Sequence, residues 1–196
     1  QWSSSAASDV YKRQDMDCSV QLWLDSELGA RWRSGEFNVN VIKALGVDQL
    51  LPKRVKKLSG GERQAVSIAI CLGRDADLYL LDEPSAHLDA NARMEAAKAI
   101  RRTMEANEKS ALVIDHDVYF IDILSDSLMV FDGEGGRYGK ATGPYPLREG
   151  MNQFLEHVNI TFRRDHDSKR PRINKPESRK DREQQSSGDY YSFESK

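Results

Sequence analysis

Two short apolar runs constrain this chain more than anything else in it: "LYLLD", 78 to 82, and "SALVID", 110 to 115. A continuous apolar run of that length is the mark of a strand covered on both faces. Between them "NARMEAAKAIRRTMEANEK" is rich in strong helix formers, with Met94, Ala97, Ile100 and Met104 at helical spacing. Strands alternating with helices argue for a parallel α/β sheet. The charged residues that follow the runs, Asp82 and Glu83 after the first and His116 after the second, then project at one edge. That is the edge where α/β folds bind ligands.

Upstream, "LSGGERQ" at 58 to 64 places Ser59 where a helix would begin, with Glu62 three residues on as in a capping box. The exposed N–H groups of Gly60 and Gly61, the helix dipole and the Ser59 hydroxyl make an anion site. "RQAVSIAICLGRDAD" then reads as a mostly buried helix ending near Gly73. In this reading Asp82 faces Mg²⁺ on a nucleotide, directly or through water. Glu83 orients or deprotonates the attacking water, as phosphoryl transfer demands. His116 contacts the terminal phosphate and that water. A capped helix start, a strand ending in solvated acids and a structural histidine each explain one motif, but not the set.

Around this centre, Val20, Trp23, Leu24 and Leu28 fall at helical spacing, and so do Val39, Ile42 and Leu45, with Gly46 as the stop. "VYFIDILS" is a helix candidate, "SLMVFDGEGGRYGKAT" reads as two strands around a Gly-rich turn, and "GPYPLREGMNQFLEHVNI" adds a short helix. From Arg163 the apolar residues nearly vanish, and 163 to 182 hold nine basic against four acidic residues. Composition alone gives such a segment too little apolar surface to order itself. The net charge of -2 marks no nucleic-acid or membrane binder. Cys18 and Cys71 stand far apart without metal-type spacing, which argues against a disulfide framework or zinc site. No apolar run approaches the ~18 residues of a membrane helix, so the expectation is a cytoplasmic protein. Residues 1 to 14 are set aside as a non-native leader, since "DVYKRQ" is what one frame of a sequencing-library transposon end encodes.

The constellation resembles the ATP-binding-cassette ATPases. "LSGGERQ" is similar to their signature motif, "LYLLDEP" to their Walker B, "SAHLD" (85 to 89) to their D-loop and the His116 region to their H-switch. "DEPSAHLD", "CLGRDADLYLLDEPS", "GMNQFL" and "NITFRRD…RPRINK" narrow the resemblance to the second nucleotide-binding domain of the subfamily E ribosome-recycling factors, the RNase L inhibitor family. The resemblance implies a P-loop NTPase-type α/β fold, with ATP and Mg²⁺ as cofactors. It makes Ser59, Gly60, Gly61, Glu62 and Asp89 nucleotide-binding, Asp82 the metal ligand, and Glu83 and His116 catalytic. It also implies two cassettes in one chain, with ATP-driven closure that splits ribosomes. The partners would be the first cassette, the small ribosomal subunit and recycling or termination factors, without a membrane. The basic tail would belong to the hinge that braces the cassettes and could touch ribosomal RNA. His87 stands where this family's D-loop has an aromatic residue.

The loop G-x-x-x-x-G-K-S/T that should cradle the phosphates is absent from the sequence. Gly133 and Gly139 have five residues between them, and Lys140 is followed by Ala141. The expected organisation is therefore a leader over 1 to 14, a partial cassette lacking Walker A over 15 to 142, and a hinge segment with basic tail over 143 to 196. Alone, such a chain is expected to be catalytically inactive and its sheet prone to aggregation. The alternatives are the ATPase subunit of a membrane transporter and a loopless interaction module.

Overall fold

The computed structural model describes residues 17 to 164 and 171 to 192, and the leader expected over 1 to 14 lies outside them. The chain forms two compact units, Gln1–Leu124 and Ser125–Lys196. This boundary falls before an antiparallel hairpin that begins at Ser127, whereas the expected one at 142 falls inside that hairpin's second strand, Tyr138–Pro146.

In the first unit, α1 (Val20–Leu28) starts at Ser19, whose hydroxyl accepts the Leu22 N–H at 3.2 Å. A single turn, α2 (Gly35–Phe37), runs into a π-helical segment, Asn38–Lys43. The chain then turns at Gly46, whose φ of +66° suits a residue without a Cβ. Next come α3 (Gly60–Gly73), β1 (Leu78–Asp82), α4 (Ala90–Asn107), β2 (Ser110–Ile114) and α5 (Val118–Leu124). Val20, Trp23, Leu24 and Leu28 are all buried, as their spacing predicts. Val39 is exposed instead, because i→i+5 bonding turns the segment away from the 3.6 period that placed it inward.

β1 and β2 pair in parallel, from Leu78 against Ser110 to Asp82 against Ile114, with α4 between them in sequence. The two-sided burial expected of these strands is not what forms. Tyr79 and Leu81 join one core with residues of α3 and α4, among them Val66, Ala97 and Ile100. Leu78, Leu80, Leu112 and Ile114 face away, with Leu80 40% and Ile114 60% exposed. Side chains alternate along a strand, and that core lies on the Tyr79–Leu81 face.

A flat apolar face on a sheet with open edges templates association. The double substitution Leu80→Lys and Ile114→Lys should raise the concentration at which the chain stays monomeric by light scattering. Unchanged scattering with intact circular dichroism would mean that another surface drives association.

The second unit holds an antiparallel hairpin, β3 (Ser127–Glu134) and β4 (Tyr138–Pro146), followed by α6 (Leu147–His157). Lys140 lies within β4, paired with Asp132, so the stretch most like a phosphate loop is a hairpin. Beyond it β5 (Phe162–Arg164) pairs with β6 (Pro171–Ile173) and β7 (Tyr191–Ser192), with α7 (Arg179–Ser187) between the last two in sequence.

Composition alone predicted no order here, and the structure corrects that. Phe162 and Tyr191 are fully buried and stack with centroids 5.3 Å apart. A buried polar cluster does the rest. Asn174 Nδ2 donates to Thr161 Oγ1 at 2.9 Å and also to Gln184, while Thr161 donates to Asp181. Gln184 Nε2 donates to the carbonyls of Phe162 at 3.0 Å and Asp189 at 2.8 Å. Asn152 of α6 accepts the Tyr191 N–H at 2.8 Å. Hydrogen bonding among satisfied polar groups replaces the missing apolar area. Tyr191→Ala should cost this unit ~3 kcal/mol, measured as lost amide-exchange protection in α7. Unchanged protection would show that the aromatic pair does not hold the tail.

Candidate functional site

The edge where β1 and β2 end carries Asp82, Glu83 and His116. Glu83 has a φ of +46°, a sparsely populated conformation for a residue with a side chain. Its N–H nevertheless donates to the Ile114 carbonyl at 2.7 Å, so the pairing of the strands runs one residue past β1. His116 Nδ1 lies 3.8 Å from Glu83 Oε1, with side chains 79% and 58% exposed. Asp82 is exposed beside them. The sequence-based expectation that the two strands deliver these groups to one edge matches this geometry.

The residues expected to face an anion stand at the start of α3. Ser59 Oγ accepts the Glu62 N–H at 3.2 Å, and Glu62 Oε2 accepts the Ser59 N–H at 3.0 Å, closing the capping box. Glu62 Oε1 pairs with Lys53 Nζ at 2.6 Å. The Lys53 ammonium, then the Ser59 N–H, hold the Glu62 carboxyl below its ordinary range. Glu62 thus has both oxygens committed, one to the cap and one to Lys53. The Ser59 O–H and the N–H groups of Gly60 and Gly61 are the donors this cap leaves over.

His87, in the left-handed region at φ +62°, packs its loop directly on this turn. A Cβ on Gly61 would stand 2.7 Å from the His87 carbonyl oxygen, so a residue larger than glycine would push the loop away. Asp89 caps α4, its Oδ1 accepting from the N–H groups of Asn91 and Ala92, both at 2.9 Å.

Four residues of this region were not singled out from the sequence. Gln64, on α3, donates through Nε2 to the carbonyls of Glu83 at 3.3 Å and Pro84 at 3.2 Å, joining α3 to the loop after β1. Asp115 and Asp117 flank His116 and bond to that loop and to α5, and Arg93 bonds to both the loop and Asp117. The pattern "DHD" was visible, but only its histidine bore on the chemistry.

The donor set fits the phosphates and Mg²⁺ of a nucleotide in part. Carboxylates, an imidazole, a hydroxyl and helix N-terminal N–H groups are the right chemistry, and the sequence contains no loop to wrap the phosphates. Among the described residues no group of three or more His, Cys, Asp or Glu could hold a metal ion. Nor is any helix of the described residues long and apolar enough to cross a membrane.

Comparison with known proteins points the same way. A family model described as "ABC transporter" matches residues 11 to 86. The "ABC transporter E family member 1" of Arabidopsis thaliana is 44% identical over 92% of this chain and 31% of its own length. The "Translation initiation factor RLI1" of Saccharomyces cerevisiae is 45% identical over 80% of this chain and 26% of its own length. A solved "RNase-L Inhibitor" matches 98% of this chain and 38% of its own at 49% identity, with a TM-score of 0.87. The archaeal ribosome recycling factor aABCE1, solved in complex with the archaeal ribosomal stalk protein aP1, matches 91% of this chain and 34% of its own at 51% identity, with a TM-score of 0.85. The chain spans about a third of the length of these relatives. On these matches and the motifs that carry them, the chain belongs to subfamily E of the ATP-binding-cassette ATPases, the RNase L inhibitor family.

Proposed function

We propose that this chain is part of a longer, cytoplasmic, twin-cassette ATPase that uses ATP to recycle ribosomes. The observation that carries the hydrolytic reading is the Glu83–His116 pair, 3.8 Å apart at the shared edge of β1 and β2. The ribosomal reading rests on similarity to proteins named as a translation initiation factor and a ribosome recycling factor.

Bound Mg²⁺ would neutralise charge on the phosphates and lower the barrier to attack on the terminal one. Asp82 would ligate it, directly or through water. Glu83 would orient the attacking water and take its proton at a carboxylate oxygen. His116 would hold a terminal phosphate oxygen by an imidazole N–H. Ser59, Gly60 and Gly61, with the dipole of α3, would face the phosphates of ATP held by the partner cassette, and Asp89 would lie at the junction of the two. On this reading the chain holds parts of two composite sites and hydrolyses nothing alone. The second unit would brace the cassettes, and its basic residues would add contacts to ribosomal RNA that weaken as salt rises.

The test is co-sedimentation of the full-length protein with small ribosomal subunits and with membranes, with and without ATP. ATP-dependent, salt-sensitive association with the small subunit is expected. Association with membranes and not with subunits would overturn the ribosomal reading in favour of a transporter ATPase.

A further inference from the structure

We propose that Arg93 is a positioning residue for the hydrolytic pair: its guanidinium ties the loop behind the catalytic carboxylates to the turn that carries His116. This rests on the reading of Glu83 and His116 given above.

The His116 side chain is 79% exposed, with Glu83 3.8 Å away. Its neighbours are fixed on both sides. Asp115 accepts from the Ser85 N–H at 3.0 Å, the Ser85 hydroxyl at 2.8 Å and the Asp117 N–H at 2.9 Å. Asp117 accepts from the N–H groups of Tyr119 at 2.9 Å and Phe120 at 3.0 Å, capping α5, and pairs with Arg93 Nη1 at 2.5 Å. The same guanidinium donates through Nε to the Leu88 carbonyl at 3.0 Å. Leu88 adjoins Asp89, the cap of α4.

One planar cation therefore joins the 85 to 89 loop, the start of α4 and the turn at His116. Asp117 is only 13% exposed, so this ion pair is less screened than a surface pair. A lysine, as a point charge, would reach the carboxylate or the carbonyl without the fixed fork that serves both. The strained Glu83 backbone needs surroundings that hold it. Ser85, two residues on, is held by Asp115, and Leu88 by Arg93. The residues that brace Glu83 are thus the residues that brace His116, and the two halves of the edge shift together or not at all.

Two readouts test this. The first is the imidazole ¹H–¹³C spectrum of the chain, with amide exchange of Tyr119 and Phe120. Arg93→Gln should shift or broaden the His116 resonance while that of His157, in the second unit, holds. Asp117→Asn, which keeps an oxygen to cap α5 but loses the charge partner, should do the same if Arg93→Gln fails to fold. A His116 resonance unmoved in the folded variants overturns the proposal.

The second readout is ATP turnover by the full-length protein. Arg93→Gln should lower kcat by about tenfold or more, in line with the cost of small misplacements, with KM within about twofold. Arg93→Lys should recover part of it, and Arg93→Gln should add nothing on top of His116→Ala. Losses that multiply in the double variant would overturn the positioning role. Turnover indifferent to Glu83→Gln would instead sink the hydrolytic reading, leaving the imidazole spectrum to decide the Arg93–His116 link.

Discussion

Glu83→Gln in the full-length protein should lower ATP turnover by about 10²- to 10⁴-fold, the usual contribution of a positioned base, while ATP still binds. Glutamine keeps the size of the side chain and loses the ability to take a proton. The backbone at φ +46° is set by the loop and not by the carboxylate, so the fold should not notice the change. The loss should appear in kcat with KM little altered, because the carboxylate matters to the reacting water more than to the bound ground state. Turnover that survives the change would move the base elsewhere on the edge.

The second large effect is expected at Ser59. Ser59→Arg removes the hydroxyl that caps α3 and sets a long cation over Gly60 and Gly61, where the proposed function has a phosphate approach the backbone. Turnover at the site completed by this helix should fall by about 10²-fold, the scale of losing a preorganised donor to a reacting phosphate. Loss of the cap alone costs helix stability, ~1 kcal/mol, and would confuse the result. Ser59→Asp separates the two, because it retains a capping oxygen facing the Glu62 N–H but repels an anion. Equal loss in both variants supports the anion site. Full turnover with Ser59→Asp would reduce the motif to a helix cap.

Much of this edge was legible because it depends on local pattern. An apolar run followed by acids marks a strand end, and two runs separated by a helix-forming stretch mark parallel neighbours. Asp82, Glu83 and His116 are therefore placed by periodicity and chain order alone. The capping box at Ser59 and Glu62 is likewise local, spanning one turn.

What the sequence hid depends on contacts between distant positions. Arg93 meets Asp117 across 24 residues and Gln64 meets Glu83 across 19, and nothing in either stretch marks the partner. The exposed face of β1 and β2 was misread because a continuous apolar run does not say whether both faces have something to pack on. The tail was misread by composition for the opposite reason. Two aromatic residues and a satisfied cluster around Asn174 and Asp181 order a segment whose charge count argues for solvation.

The most direct measurement is ATP hydrolysis by the 196-residue chain and by the full-length protein, side by side, each with its Glu83→Gln control. The composite-site reading predicts Glu83-dependent turnover by the full-length protein and none above the control by the chain alone. Glu83-dependent turnover by the chain alone, at the full-length rate, would contradict it.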